Sequence, residues 1–278
     1  MSPPPPVACT VAGSDPSAGA GIQADLKTFA ACGVYGATVI TAVTAQSTLA
    51  VGAVHPVPAA VVAEQIDAVA TDLAPAAWKT GMLGGAELVH AVVDGLRRHR
   101  AANLVVDPVM RSTSGRPLLS GGGVAALRSA LLPLATVLTP NLEEAAALLR
   151  RPVDDLAGAR EAARALCAFG PRLVVVTGGH LPGDRVVDAV FDAGAGVGLE
   201  LDHPRVPGPG THGTGCTLSA AIAAFLARGT SPLDAVASAR AYLQEALLRA
   251  PGLGRGHGPL GHLAVEPAAV VRAPLEAG

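Results

Sequence analysis

Aromatic residues make up only 3% of the 278-residue chain, so a globular core has to be built from Ala, Val and Leu. The four cysteines, Cys9, Cys32, Cys167 and Cys216, stand far apart, with no CxxC pair and no His at metal-ligand spacing. That excludes a disulfide framework and a zinc site and suits a reducing, cytoplasmic setting. Net charge is scarce as well. With 20 basic against 22 acidic residues the balance is -2, too small to draw nucleic acid or an anionic membrane, and a small-molecule partner is expected instead. The start of the chain has no basic leader, and the apolar runs are interrupted well short of about 18 residues, so neither an export signal nor a membrane span is read. No Pro-, Gly- or Ser-rich linker divides the chain and no repeat is visible, which favours one domain over 1–278 with an ordered core at about 7–250.

What is present is an alternation. Short β-branched runs at 7–12, 37–43, 76–81, 103–109, 135–140 and 172–179 are separated by segments with helical apolar spacing at 59–73, 85–100, 123–135 and 155–170. Strand and helix repeated in this way predict a mostly parallel sheet covered on both faces. Two alternating runs around a Gly-rich turn, within 186–206, predict an antiparallel hairpin at the sheet edge. Two more helices follow, one from about Gly213 and one over 231–250; the Gly-rich stretch 252–261 reads as loop, with the last residues poorly ordered.

Several segments carry chemistry. GPGTHGTGC (208–216) runs straight into an alanine-rich helix. Glycines at a helix N-terminus expose backbone donors, so Gly213, Thr214 and Gly215 suggest an anion cradle; a capped glycine-rich turn is the plainer alternative. The stretch is not a P-loop, because no Lys follows. Cys216 falls in the first helical turn, where the dipole lowers a thiol pKa, so a general base is one reading and a small buried hydrophobe the other. Asp25, on a helix after the glycine-rich turn at 13–21, can accept from a substrate amine or hydroxyl, or only offset helix charge. Gln46, at the end of an apolar strand, can donate and accept along a heteroaromatic edge. Met82 can lie against a ring or fill the core. Asp107 at a strand end, with Asn141 and Glu144 three residues apart, could hold Mg2+ through water; a capped helix start is the alternative.

Taken together, AGSDPSAGAGIQADLKTF, VITAVTAQST, KTGML, VVDPVM with STSG, TPNLEEAAAL, VVVTGGH and THGTGCTLSAAIA resemble, in order and spacing, the hydroxymethylpyrimidine/phosphomethylpyrimidine kinases of thiamine biosynthesis. The resemblance spans Val7 to Arg249 and is far more specific than any one motif. It implies a ribokinase-like three-layer α/β/α sandwich and ATP-dependent phosphorylation of 4-amino-5-hydroxymethyl-2-methylpyrimidine, then of its monophosphate. Mg2+ and a homodimer are implied with it. A pyrimidine pocket falls on Gly13, Asp25, Gln46, Met82 and Val109, and an anion hole on Gly213 to Cys216, with Cys216 as base. Nucleotide and metal contacts fall on Asp107, Asn141, Glu144, Thr177, Gly179 and Thr211. Many members carry a Lys before GGH and another before SG; here Thr177 and Thr113 stand there, so a phosphate-binding charge is either missing or supplied elsewhere, with Arg111 the candidate. Pyridoxal or pyridoxine kinase is the nearest rival activity, and a non-catalytic nucleotide-binding regulator would need no base at position 216.

Overall fold

Alternate residues of the apolar strands belong to opposite faces: Cys9 and Val11 join one buried cluster and Ala8 another, as do Val106 and Val105, or Leu138 and Val137. A strand apolar on both faces has to be covered on both faces. The computed structural model, which describes residues 3–208, 210 and 212–265, shows that cover. Its strands are β1 (Val7–Ser14), β2 (Tyr35–Gln46), β3 (Val51–Pro56), β4 (Ala77–Thr80), β5 (Leu104–Val106), β6 (Val137–Leu138), β7 (Leu173–Val176), β8 (Arg185–Asp192) and β9 (Val197–Pro204). They form one sheet in the order β3-β2-β1-β4-β5-β6-β7-β8-β9. From β2 to β7 the neighbours are parallel. The pairs β2–β3, β7–β8 and β8–β9 are antiparallel.

Helices α2 (Ala59–Asp72), α3 (Ala86–Arg98), α4 (Gly121–Ala126), α5 (Leu142–Leu149) and α6 (Leu156–Cys167) build the first cluster against the sheet. Helices α1 (Gly21–Ala31), α7 (Thr214–Ala227) and α8 (Pro232–Leu248) build the second on the opposite face. α7 is buried without interruption from Thr217 to Ala227, so it is the central element of its layer and not a surface helix. The expected α/β/α sandwich with a mostly parallel sheet and the β8–β9 edge hairpin is thus present.

Three features depart from expectation. β3 adds an antiparallel strand at the other edge; only Val51 of its six residues is buried, so no alternation marks it in the sequence. The segment expected as one helix over 123–135 passes from α-helix into a π turn at Leu127–Leu131 and a 3-10 turn at Leu132–Leu134, where Pro133 has no N–H to give. The ordered core does not stop near 250. The glycine-rich segment folds back as a strap, with His257 N donating to Thr48 O at 2.9 Å and His212 N donating to Gly258 O at 3.1 Å. Leu260 is buried at 3% exposure behind it, and Tyr242 Oη donates to His262 O at 2.9 Å. Residues 266–278, expected to be poorly ordered, lie outside the described residues.

The strap is therefore expected to carry stability. Leu260→Ala should cost about 2 to 5 kcal/mol in denaturant unfolding, the usual range for a buried Leu; a change near zero would make the segment a dispensable tail.

Candidate active site

In an open parallel sheet the ligand crevice lies beyond the strand C-termini, where connections leave in opposite directions. Here β1 connects to β2 on one side, while the later strands build outward from β4 on the other. A cavity of about 700 Å³ opens at that edge, lined by segments following β1, β2, β4, β5, β6 and β7 and by the N-terminus of α7.

The floor is the α7 start. Gly213 caps the helix with φ 83°, and a Cβ there would sit 2.0 Å from Gly19 O, so only glycine lets the two loops close on each other. Thr214, Gly215 and Cys216 follow in the first turn, and Gly215 faces Asp107 closely enough that an added Cβ would lie 3.8 Å from its Oδ2. The structure brings Gly213–Cys216 into the cavity wall together with Asp107. It does not give Cys216 the lowered pKa expected of a helix N-terminus. Burial pushes the thiol up to about 12, with the Asp107 and Asp25 charges adding to burial and Lys79 opposing. The resting thiol is protonated, and the nearby Asp107 charge is one of the causes that keep it so.

Lys79 was not read as functional, although a lysine inside the buried strand AWKT is a signal in itself. Its side chain is wholly buried and its Nζ donates to both oxygens of Asp25, at 3.1 and 2.9 Å. Burial would favour neutral Lys79, but the Asp25 and Asp107 carboxylates hold it in the charged form. Thr10 Oγ1 donates to Asp25 Oδ2 at 2.6 Å. This corrects the expectation for Asp25: the carboxylate is fully buried, its oxygens are taken by Lys79 and Thr10, and it is not among the cavity residues. A buried cation needs its partner more than the substrate needs another acceptor.

Asn141 and Glu144 do both things read from their spacing. They form a reciprocal capping box on α5, with Asn141 Oδ1 accepting from Glu144 N at 2.9 Å and Glu144 Oε2 accepting from Asn141 N at 3.0 Å. Both also line the cavity with Asp107. Burial and then the Asp107 charge push Glu144 up to about 8, and burial raises Asp107 to about 6 against the pull of Lys79. Two adjacent buried carboxylates that resist ionising suit a hard cation between them. No group of three His, Cys, Asp or Glu ligands occurs among the described residues, so a cation there would need phosphate oxygens and water to complete its shell.

At the β1, β2 and β4 end, Gly13, Gln46, Met82 and Val109 all line the cavity. Met82 lies so close over Gly13 that a Cβ on the glycine would meet its Cε at 3.3 Å. Gln46 is less free than expected: its amide contacts Thr44 Oγ1 at 3.2 Å and the His212 ring at 3.0 Å. His212, inside the quoted THGTGC motif, had been passed over; it is 5% exposed and reaches Asp15, Gln46 and Thr113.

Thr177 and Gly179 line the opposite end with Asp188, Arg205 and Arg240, while Thr211 lies outside the described residues. Arg240 Nε donates to Asp188 Oδ2 at 2.9 Å, and Asp188 Oδ1 accepts from Gly178 N at 2.8 Å. Arg205 donates to the carbonyls of Gly179, Leu181 and Gly183, which clasps that loop. Arg111 donates to Gly115 O at 3.2 Å and is not among the described acid–base pairs.

A family model described as phosphomethylpyrimidine kinase matches residues 15–261 of the chain. The hydroxymethylpyrimidine/phosphomethylpyrimidine kinase of Rhizobium meliloti (strain 1021) is 50% identical over 260 residues, covering 92% of this chain and 96% of that one. The thiamine biosynthesis bifunctional protein ThiED of Geobacter sulfurreducens is 46% identical over 254 residues, 91% of this chain but only 51% of that longer protein. Among solved structures, the pyridoxal kinase from Staphylococcus aureus in complex with ADP superposes with a TM-score of 0.87 at 35% identity, covering 94% and 95% of the two chains.

Two measurements probe these charges. Asp25→Asn should destabilise by about 3 to 5 kcal/mol by stranding the Lys79 charge, and adding Lys79→Met should recover much of that; equal or additive losses would show that the two residues are not paired. For Glu144 the folded value of about 8 lies above the ordinary 4.5, so the native state holds the extra proton and stability falls as pH rises from 4.5 to 8. Glu144→Gln, which can still cap α5, should therefore gain melting temperature relative to the parent across that window. Mg2+ should stabilise the parent above pH 8 and the variant much less; an equal response would leave Glu144 a helix cap only.

Proposed function

The chain belongs to the phosphomethylpyrimidine kinase family, and from that premise we infer that it phosphorylates hydroxymethylpyrimidine and then its monophosphate at the expense of ATP. The observation that supports this most directly is the meeting, in one cavity, of the α7 N-terminus with a ring-sized end at Gly13, Gln46, Met82 and Val109 and an opposite end at Asn141, Thr177 and Gly179. An acceptor ring in the first end and a nucleotide in the second place the transferring phosphoryl group over Gly213–Cys216, in the middle of the strand order.

Phosphoryl transfer of this kind is catalysed by position and charge. The free N–H groups of the first α7 turn donate to the phosphoryl oxygens, and the half charge of the helix end acts in the same direction. Arg111, which lines the cavity, supplies the anion-binding charge that Thr113 and Thr177 lack. Asp107 and Glu144 would hold Mg2+, which neutralises phosphate charge when bound. Cys216 and Asp107 form the proton acceptor: as the hydroxymethyl oxygen attacks, its proton passes to the sulfur while the thiol proton moves to the carboxylate. No helix among the described residues is long and apolar enough to cross a membrane. The cytoplasmic location and the homodimer are assigned from the family resemblance.

ADP release measured with hydroxymethylpyrimidine, its monophosphate and pyridoxal as acceptors tests the assignment; a preference for pyridoxal would overturn it in favour of the activity named for the Staphylococcus aureus relative. The two steps should also respond differently to Cys216→Ala. An alcohol acceptor must lose a proton, so the first step should fall by about 10² to 10⁴. A phosphate monoester has a second pKa of about 6 and arrives ionised, so the second step should fall by less than about tenfold. Equal losses would make Cys216 part of the anion hole and not the proton acceptor.

A further inference from the structure

His212 joins three loops through one ring. Its Nδ1 lies 3.1 Å from Thr113 Oγ1, and its Nε2 lies 3.1 Å from Asp15 Oδ2 and 3.0 Å from the Gln46 amide. The ring is packed so tightly that a Cβ on Gly19 would come within 2.3 Å of its Cδ2. Turning the imidazole over would set ring carbons against Thr113, Asp15 and Gln46, so this orientation stands and its hydrogen bonds can be assigned by counting donors.

Asp15 decides the count. Burial pushes its carboxyl upward, but hydrogen bonds from His212, from Ser17 and from the backbone of Ala20 and Ser17 outweigh burial and hold it below the ordinary carboxylate range. Its Oδ1 accepts from Ser17 N and Ser17 Oγ, and its Oδ2 accepts from Ala20 N at 2.9 Å. An ionised carboxylate has no proton to offer, so the 3.1 Å contact requires a proton on His212 Nε2. An N–H at that position cannot face the NH₂ of Gln46. The two ends of a side-chain amide have the same shape, and the hydrogen bonds around them fix which is oxygen. The Gln46 oxygen therefore accepts from His212 Nε2, in a bond shared with Asp15. The Gln46 nitrogen then donates to Thr44 Oγ1 across the 3.2 Å contact, while Thr44 Oγ1 donates onward to Ser14 O at 3.1 Å. Every partner is satisfied, and one Gln46 N–H is left over in the wall of the cavity.

We propose that His212 is a positioning residue for substrate choice: its Nε2–H turns the Gln46 amide so that an N–H faces the cavity and selects a heteroaromatic ring presenting an unprotonated nitrogen at that edge. Toward the ring Gln46 is then a donor only, its oxygen being held by His212, and not the donor and acceptor expected from its sequence position. The inference rests on the pyrimidine kinase activity assigned above, and its test separates the two.

The test is a kinetic cycle on the full-length enzyme with His212→Ala, Gln46→Leu and the double variant. His212→Ala should raise KM for hydroxymethylpyrimidine by about tenfold, the worth of one misdirected hydrogen bond, with kcat and the KM for ATP within about twofold. In the Gln46→Leu background, removing His212 should raise KM no further. Additive losses, or an equal rise in the KM for ATP, overturn the inference while leaving the kinase assignment intact. A parent enzyme that does not turn over hydroxymethylpyrimidine overturns both. Because His212→Ala could unfold the loops it joins, the parent protein with 15N-labelled histidine supplies a readout free of variants. Its nitrogen–proton correlation spectrum should show His212 Nε2 carrying a proton, and a bare Nε2 with the proton on Nδ1 overturns the inference outright.

Discussion

The rest of the site depends on a lysine ammonium that has no access to water. Moving Lys79 into the sheet interior costs several kcal/mol, and the two contacts to Asp25 offset that cost only because Thr10 holds the carboxylate in place. The requirement for a partner fixes α1, which carries Asp25, against β1 and β4, which carry Thr10 and Lys79. It also leaves a positive charge close to Cys216 and to Asp107, whose carboxylate helps to keep Lys79 protonated. Without that cation, Asp107 would meet Glu144 with burial and like charge both opposing ionisation. The ion pair is thus less a source of stability than the condition under which acidic groups can be assembled around the N-terminus of α7.

Much of this was legible in the sequence, for a physical reason in each case. Parallel strands buried on both faces are continuous apolar runs, and helices over them repeat at 3.6 residues, so the sandwich could be read from pattern alone. Gly213 was legible because a glycine-rich stretch running into a helix exposes backbone donors, and its left-handed φ of 83° adds the conformational reason for glycine. Asp25 was misread because sequence shows that a carboxylate follows a ligand-binding loop, not that a lysine 54 residues later would occupy it. Lys79 and His212 stood within quoted motifs and were passed over, since their partners Asp25, Asp15, Gln46 and Thr113 come from other strands and loops. β3 and the strap were hidden differently: their backbone pairs with the rest of the fold while their side chains are mostly exposed, so no apolar period announces them.

The thiol shows how two local rules compete. A helix N-terminus stabilises a thiolate, by up to about 2 kcal/mol in a partly buried setting, and Lys79 acts in the same direction. Burial opposes both, and Asp107 and Asp25 oppose them as well, so the thiol is pushed up to about 12. Burial is the largest of these effects and decides the outcome, with the two carboxylates adding to it against Lys79. Cys216 is therefore inert as a free nucleophile and useful as one half of a pair whose other half, Asp107, ionises at about 6.

That division of labour fits consecutive transfers to one substrate. The first acceptor is an alcohol, neutral and small, and needs somewhere for its proton to go. The second is a phosphate ester, already charged and larger, and needs donors and cations rather than a base. A cavity of about 700 Å³ with backbone donors at its centre meets the second need, and the protonated thiol beside an ionised carboxylate meets the first. In the proposal that Cys216 and Asp107 accept the proton, the acceptor lies within the first turn of α7, so one floor would serve both steps and the ring could stay against Gln46 and Met82 while the group attached to it grows.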